Sequence, residues 1–321
     1  MSWKKIRGHD EIVELFRQAA QKSRLGSSFL FTGPPGIGKR TFARKLAAAL
    51  LCETNDDAML EPCGQCKSCV QVEAGSHPDL IEVARPEDKS FIPLELLIGP
   101  KENRMREGVC HDLAMKPYQG RRKVAIIDDA DHFNQEGANS LLKTLEEPPP
   151  GAVIILIGTS PSKQLPTIRS RCQLIRFQPL SALDVAELLM EKGIAESMEV
   201  AAEAAALSEG SVERGANLLD GDLTNFRTHL HRQLAAVPLD SLRLATAVQT
   251  FVDEAGKEAS KRRARLREVV QMTMAYYRQI LRDRHDPTIA ARLEQTLDAL
   301  ETIDRNANLT TLIESWCDGL N

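Results

Sequence analysis

The sequence lacks the features that would mark a membrane, secreted or repeat protein. No window reaches the roughly 18 uninterrupted apolar residues that a membrane-spanning helix needs, and the first residues contain no apolar run typical of a signal peptide. There is no internal repeat and no low-complexity segment. The formal net charge is only -4, which argues against a protein that coats nucleic acid uniformly. These absences predict a globular, cytoplasmic protein with no membrane partner.

Cysteine is scarce as well, but most of the few cysteines are grouped. Four of the seven form a C-x10-C-x2-C-x2-C run, namely Cys52, Cys63, Cys66 and Cys69. In a cytosolic protein, such clustering favours metal binding over disulfide formation. Four thiolates close a tetrahedral shell around Zn²⁺ and leave no position for a catalytic water, so the predicted site is structural. His77 is an alternative to Cys52 as the fourth ligand, an iron–sulfur cluster is an alternative to zinc, and cysteines that bind nothing are a third interpretation.

The sequence has enough length and apolar content, 321 residues and 42%, for two or three domains with buried cores. An apolar run, a glycine-rich loop and an amphipathic run follow one another over residues 27–51, which predicts a strand, a loop and a helix. The loop consists of Gly33, Pro34, Pro35, Gly36, Ile37, Gly38, Lys39, Arg40 and Thr41. Such a loop directs backbone N–H groups and a helix N-terminus at a phosphate chain, while its lysine reaches the terminal phosphates. The pattern therefore predicts a site for a nucleoside triphosphate.

One position of the loop departs from the usual motif. Arg40 stands where a serine or threonine normally supplies a hydroxyl to the magnesium ion. The next hydroxyl, that of Thr41, is rotated about 100° around the helix. Thr41 cannot be assumed to replace the missing Mg²⁺ ligand, so the sequence supports phosphate binding better than hydrolysis.

Two further apolar runs end in polar side chains. Residues 123–127 precede Asp128 and Asp129, as expected of a central parallel strand whose carboxyl end faces the nucleotide. In that setting Asp128 would hold Mg²⁺ and Asp129 would orient the attacking water. Capping of a following helix is the alternative role for these carboxylates. Residues 152–157 precede Thr159, which could sense the terminal phosphate.

The rest of the chain reads mainly as helix. Residues 93–115 have mostly helical character with an interruption at residues 99–100, and helices are predicted at residues 180–192, 198–207 and 211–219. After a break at residues 220–224, the remainder reads as all-helical. Residues 257–284 carry nine basic and three acidic side chains, which favours a solvated helix face, with contact to DNA phosphates as the alternative.

Arg171 lies in the run Ile168-Arg-Ser-Arg-Cys172. From spacing alone, two roles are open. The side chain could form an ordinary surface salt bridge, or it could present a cation to the nucleotide of a neighbouring subunit.

Five elements together resemble the bacterial clamp-loader subunits of DNA polymerase III, of the AAA+ family, and among these the delta-prime type. They are residues 33–41, the cysteine cluster, residues 124–131, the run Asn139-Ser-Leu-Leu-Lys-Thr-Leu-Glu-Glu-Pro-Pro149, and Ser170-Arg171-Cys172. The resemblance is strongest over residues 1–178. It implies an α/β fold with three parts: an AAA+ P-loop domain (1–178) with a parallel sheet and an inserted zinc module (about 52–69), a helical lid domain (179–222), and an all-α collar domain for oligomerisation (223–321).

The resemblance also implies a role in replication, namely ATP-dependent loading of the sliding clamp on primed DNA by a hetero-pentameric ring with gamma/tau and delta-type subunits. In the family, the arginine of Ser-Arg-Cys, here Arg171, reaches the ATP of the adjacent subunit as an arginine finger. Related motor subunits carry an arginine where Glu213 stands, and here Arg214 comes one residue late.

Arg40 and Glu213 depart from the pattern of the motor subunits, and so does Asp129, because a common form of its motif has glutamate in this position. The resemblance therefore implies a delta-prime-type subunit that binds ATP with weak or absent hydrolysis. The alternatives are a gamma/tau-type subunit that hydrolyses ATP and an independent DNA-remodelling AAA+ ATPase.

Overall fold

The computed structural model describes residue 3 and residues 6–86, 89–119, 121–283, 286–304 and 307–321. The chain divides into two compact units, residues 1–218 and residues 219–321. Within the described residues, no helix is long and apolar enough to cross a membrane. Arg284, the last residue of the predicted basic stretch, lies outside the described residues.

The first unit is an α/β structure built on one parallel sheet. Its strands are β1 (Ser28–Thr32), β2 (Leu80–Val83), β3 (Lys123–Ile127), β4 (Ala152–Ile157) and β5 (Gln173–Arg176), in the order β2-β3-β4-β1-β5. All four neighbouring pairs are parallel. The helices are α1 (Asp10–Gln21), α2 (Lys39–Leu50), α3 (Lys67–Ala74), α4 (Leu94–Ile98), α5 (Val109–Ala114), α6 (Gln135–Glu146), α7 (Pro166–Arg169), α8 (Ala182–Glu191), α9 (Met198–Leu207) and α10 (Val212–Leu219).

The three central strands explain the continuous apolar runs in the sequence. Every residue of β1, β3 and β4 is buried, as expected of strands covered on both faces by helices. On one side of the sheet, Phe16, Phe29, Phe31, Phe42 and Phe177 pack with ring centroids 5.0–6.4 Å apart. Because parallel strands end at the same edge, the loops after β1, β3 and β4 meet there.

The second unit is helical, with α11 (Gly221–Leu234), α12 (Ser241–Asp253), α13 (Ala259–Asp283), α14 (Pro287–Asp304) and α15 (Leu309–Gly319). One face of α13 is buried, since Leu266, Val269, Val270, Met274 and Tyr277 are all buried. Its charged face has partners within this unit.

Three basic side chains of this region illustrate the pairing. Arg262 lies 3.4 Å from Asp253, Lys261 lies 3.0 Å from Glu258, and Arg265 lies over the ring of Phe251 at 4.5 Å. Part of the basic stretch is therefore engaged in contacts within the chain, as expected of an ordinary solvated helix face.

The predicted helical character of residues 93–115, with its interruption at residues 99–100, is confirmed in part. Only α4, α5 and a short 3-10 helix at Lys101–Asn103 are helical there. Gly99 and Gly108 adopt φ angles of +82° and +89°, and a Cβ on Gly108 would lie 2.7 Å from the backbone nitrogen of Gly99. The chain doubles back at these glycines, which interrupts the helix for longer than the periodicity indicated. The three helices predicted between residues 180 and 219 are present as α8, α9 and α10.

Candidate nucleotide and metal sites

The glycine loop joins β1 to α2 as predicted. Gly36 and Gly38 have φ angles of +73° and +94°, in the left-handed region that favours glycine, and Gly38 is the N-cap residue of α2. A Cβ on Gly36 would lie 2.2 Å from the hydroxyl oxygen of Ser211. Glycine is therefore required at position 36 both by the backbone angle and by the close approach of the segment that begins α10.

Lys39 is buried at the start of α2. Its ammonium donates to the carbonyl oxygens of Gly33 at 2.7 Å and of Pro34 at 2.6 Å. Burial lowers the pKa of Lys39, and the nearby carboxylates, Asp128 first among them, act in the opposite direction. A phosphate oxygen would be a stronger, charged acceptor than these carbonyls, so the lysine is placed to bind an anion.

Arg40 points back toward the sheet. Its Nε lies 3.8 Å from Oδ2 of Asp128, and one of its terminal nitrogens lies 4.0 Å from Glu82 in β2. Burial raises the pKa of Asp128, with Arg40 and Lys39 opposing this rise. Thr41, which carries the next hydroxyl, is exposed and is one of the residues that line a cavity over the loop.

The carboxylates after β3 take different places. Asp129 adopts φ +57° and donates its backbone N–H to Oδ1 of Asp128 at 2.9 Å. Although Asp129 precedes the short 3-10 helix Ala130–His132, its side chain makes no capping hydrogen bond. The side chain of Asp129 therefore does not support the alternative that this carboxylate caps the following helix. Asp128 and Asp129 both line the cavity over the glycine loop.

Asp131, three residues after Asp128, holds Thr159 in place. Its Oδ2 accepts the backbone N–H of Thr159 at 2.8 Å and also the hydroxyl of Thr159. Its Oδ1 accepts from the side-chain amide of Gln164. The hydroxyl hydrogen of Thr159 is thus directed at Asp131 rather than into the cavity, and a sensing role would require this bond to be exchanged.

A cavity of 790 Å³ lies over the loop and is lined by residues from across the first unit. Besides residues 35–41 of the loop, the three aspartates and Thr159, its lining includes Arg7, His9, Leu188, Glu191, Ile194 and Glu213, whereas Gly33 and Pro34 are not among the described lining residues. His9 is buried and donates from Nε2 to the carbonyl of Ile37 at 2.8 Å, whereas its buried Nδ1 has no hydrogen-bond partner among the described residues.

Helices α8 and α10 both make contacts at this cavity. Arg7 pairs with Glu187 and Glu191 of α8, and the backbone N–H of Val212 donates to the carbonyl of Gly36 at 3.0 Å. The second contact brings Glu213 against the phosphate loop, where its carboxylate adds negative charge near Lys39. That charge disfavours a bound polyphosphate.

The four clustered cysteines meet as predicted. Their sulfur atoms all lie within 4.8 Å of one another, with Cys52 to Cys66 and Cys63 to Cys69 both at 3.9 Å. Zinc–sulfur bonds of about 2.3 Å in a tetrahedron place the sulfurs about 3.8 Å apart, so the cluster has the dimensions of a zinc site.

Backbone N–H groups orient these sulfurs. The N–H of Cys66 donates to the sulfur of Cys63 at 3.3 Å, and that of Cys69 to the sulfur of Cys66 at 3.4 Å. A backbone hydrogen bond from Gln65 lowers the pKa of Cys63 to about 6, whereas burial raises the pKa of Cys69. Thiolates in this arrangement are satisfied by a bound cation and by these N–H donors.

His77, the alternative fourth ligand, is occupied elsewhere. Its Nδ1 accepts the backbone N–H of Asp79 at 3.0 Å, and its Nε2 donates to the hydroxyl of Ser68 at 3.0 Å. That hydroxyl donates to Glu53 at 2.7 Å. Both ring nitrogens are used in this buried network, so the structure brings Cys52, and not His77, to the cluster.

Arg171 lies just after α7, and it is not among the described residues that line the cavity. Its Nε lies 3.3 Å from Glu146 at the end of α6, and a terminal nitrogen donates to the carbonyl of Thr167 at 3.1 Å. The side chain of Glu146 is 60% exposed, so the ion pair is solvated and contributes below about 1 kcal/mol to stability. A partner that offers a phosphate could displace this carboxylate.

Sequence patterns did not identify His9 and Asp131 as site residues. Asp131 had a local signal, because it is the third carboxylate after a buried strand. His9 had none, because its partner carbonyl belongs to Ile37, 28 residues along the chain. Contacts of this kind depend on the packing of the folded chain and leave no spacing that a single sequence displays.

A family model described as "DNA polymerase III, delta subunit" matches residues 8–181. DNA polymerase III subunit delta' of Bacillus subtilis (strain 168) is 31% identical over 199 residues, which cover 62% of this chain and 56% of the relative. The subunit delta' of Pseudomonas aeruginosa is 38% identical over 162 residues, covering 49% and 45%. DNA polymerase III subunit tau of Escherichia coli (strain K12) is 32% identical over 243 residues, covering 73% and 35%. The chain thus spans about half the length of the two delta' relatives.

Proposed function

We propose that this chain, which belongs to the DNA polymerase III delta subunit family, is a delta-prime-type subunit of a clamp-loader complex. In this role it assembles with gamma/tau-type and delta-type subunits in a hetero-pentameric ring that places the sliding clamp on primed DNA with the use of ATP. Its first unit binds ATP in the cavity over the glycine loop, with little or no hydrolysis, and its helical second unit forms the collar of the ring. The whole assembly acts in the cytoplasm.

The proposal is supported chiefly by two side chains at the chain's own cavity, those of Arg40 and Glu213. Arg40 stands at the position of the magnesium-binding hydroxyl, with its Nε 3.8 Å from Asp128. Glu213 adds a second departure, since it brings a negative charge to the phosphate loop. Without the magnesium-binding hydroxyl turnover is impaired, whereas the N–H groups of the loop and Lys39 still offer donors to phosphate despite the charge of Glu213, as expected of a stationary ring member.

Arg171 supplies the catalytic contribution of this subunit in trans. In the ring, its guanidinium leaves Glu146 and neutralises charge on the phosphoryl group that is transferred in the adjacent subunit's site. A cation delivered in this way is worth orders of magnitude in rate in other phosphoryl-transfer enzymes. Arg171 is partly exposed and its ion pair with Glu146 is solvated, which supports this role because little binding energy is lost when the arginine changes partner.

The cysteine cluster holds one structural zinc ion in the same proposal. Cys52 follows α2, while Cys66 caps the N-terminus of α3 and Cys69 lies in its first turn. A zinc ion bound by these residues and Cys63 would fix α3 and the loop before it against α2. The four sulfurs fill its coordination shell, so its role is to stabilise the fold.

A gamma/tau-type subunit that hydrolyses ATP is the second candidate. The similarity to subunit tau of Escherichia coli extends over 243 residues, more of this chain than the similarity to either delta' relative covers. The identity of Arg40 and Glu213 favours the delta-prime assignment, because both residues alter positions on which a motor site depends.

The arginine-finger role is tested by Arg171→Ala in a loader reconstituted from all its subunits. Because the substitution removes a cation from the neighbouring site only, we expect intact folding and ring assembly and at least about a tenfold loss of hydrolysis at that site. Single-turnover ATP hydrolysis with clamp and primed DNA measures the effect.

Arg169→Ala is the matched control for this experiment, since Arg169 is an exposed arginine two residues earlier whose contact is a 3.5 Å bond to the carbonyl of Pro161. The control should leave hydrolysis unchanged. Unchanged hydrolysis with Arg171→Ala would show that the arginine has no trans role.

A further inference from the structure

We propose that the guanidinium group of Arg40 takes the place of Mg²⁺ in this site, so that the cavity binds ATP without a divalent cation. The inference rests on ATP binding in the cavity, which is part of the proposed function, and it specifies the ligand as metal-free nucleotide.

The position of Arg40 is the first support. The residue is the second of α2, directly after Lys39, so its side chain leaves the helix at the end that faces the phosphate chain. Its cation lies between Asp128 at 3.8 Å and Glu82 at 4.0 Å, on the side of the cavity where a metal ion would bridge a carboxylate and the phosphates. Arg40 thus brings positive charge to the place where the metal would supply it.

The residues around Arg40 do not fit a magnesium ion. Mg²⁺ demands near-octahedral oxygen ligands at short distances and is usually held in such loops by a hydroxyl and a carboxylate together. Here the carboxylate of Asp128 faces a guanidinium, and position 40 offers no oxygen in its side chain. A metal ion beside Asp128 would also repel the cation that is already there.

Arg40 keeps the capacity to bind phosphate while it pairs with Asp128. Its two carboxylate contacts, at 3.8 and 4.0 Å, are longer than hydrogen bonds, and its side chain is 55% exposed. A guanidinium has five N–H donors in a planar fork that matches phosphate oxygens, and it stays charged at any physiological pH. It can therefore contact Asp128 and a β- or γ-phosphate oxygen at once.

The test compares ATP binding by the intact chain with and without Mg²⁺, by isothermal titration calorimetry. Magnesium is removed by passing the buffer over a chelating resin, and elemental analysis checks that the zinc content of the protein is unchanged. The variants are Arg40→Thr, which restores the usual hydroxyl, and Arg40→Lys, which keeps a charge without the fork. Arg121→Thr is the control for loss of one arginine, since Arg121 is 78% exposed and its described partner is Asp56, outside the cavity.

We expect the wild type and Arg121→Thr to bind ATP with dissociation constants that agree within about twofold in the two buffers, and Arg40→Thr to bind at least about tenfold more tightly with Mg²⁺ than without it. Arg40→Lys should lie between them. Wild-type binding that depends tenfold on Mg²⁺ would overturn the inference and would leave ATP binding intact, with Thr41 or water as the ligand. Metal-independent binding by Arg40→Thr would also overturn it. No binding by the wild type in either buffer would reject the nucleotide part of the proposed function and, with it, this inference.

Discussion

The cysteine cluster and the nucleotide cavity both derive from short sequence motifs, yet only the cluster keeps every donor that its motif requires. Its four sulfurs lie within 4.8 Å of one another. In the cavity, the glycine loop and Lys39 are in place, but Arg40 stands where the loop motif has a serine or threonine, and Glu213 adds a negative charge near Lys39. The backbone of the loop is retained, whereas a side chain that the motif uses for Mg²⁺ is replaced.

The difference follows from the protein groups that bind each ligand, side chains for zinc and mainly backbone N–H groups for the nucleotide phosphates. A tetrahedral metal site depends on all four of its side chains, so the loss of one abolishes it. A phosphate loop binds largely through backbone N–H groups and one lysine, so it can keep its ligand while the residues for metal and water change. A structural metal site is therefore conserved as a unit, whereas a nucleotide site can lose turnover before it loses binding.

The largest effect is expected at the cluster, from the double substitution Cys63→Ser and Cys66→Ser. We expect one zinc per chain in the wild type and none in the variant, with a loss of several kcal/mol in stability, because structural zinc binds with roughly 10–16 kcal/mol in small domains. Elemental analysis and thermal unfolding measure the two effects. Cys172→Ser, a cysteine outside the cluster, should keep the zinc. Wild-type protein purified without chelators and free of metal would contradict the zinc assignment.

The next effect is expected in the cavity, from Lys39→Met. Methionine fills a similar volume but removes the buried ammonium that donates to the loop carbonyls. We expect ATP binding to weaken by about 100-fold, equal to about 2.7 kcal/mol, because a charge-assisted bond to phosphate is lost. Lys22→Met, an exposed lysine at the end of α1, is the control and should bind as the wild type does. Equal affinities for both variants would mean that ATP does not bind over this loop.

The smallest effect is expected next to the cluster, from His77→Gln. The variant should keep one zinc per chain, because His77 is bonded to Ser68 and to the backbone of Asp79 and lies outside the donor set. It should lose about 1 kcal/mol of stability in urea unfolding, since buried hydrogen bonds are disturbed. Loss of zinc from this variant would show that His77 is part of the metal site. The four cysteines would then not be a complete set of metal ligands, and the cluster would no longer differ in this respect from the nucleotide cavity.

Sequence periodicity and motifs predicted much of this structure. The buried strands β1, β3 and β4 appeared as apolar runs, and α8, α9 and α10 appeared at helical spacing, because each signal lies within a few residues of the chain. The helix predicted for residues 93–115 is shorter than expected, because the chain folds back on itself at Gly99 and Gly108. A backbone contact of this kind leaves no periodic pattern in the sequence.

The candidate sites follow the same division. The residues of the glycine loop and the cysteines were found by spacing and Glu213 by the family resemblance, whereas His9 joins its cavity through a contact with Ile37. Side chains that reach a site from distant segments are fixed by tertiary packing, and a single sequence does not display them.

The proposed function requires that this chain binds ATP without hydrolysing it. ATP binding and steady-state hydrolysis by the purified chain alone, with and without DNA, test this requirement. We expect measurable binding and no hydrolysis above the level of the Lys39→Met variant. Robust hydrolysis by the isolated chain would contradict it: if independent of DNA it would favour a gamma/tau-type motor, and if stimulated by DNA it would favour an independent DNA-remodelling ATPase.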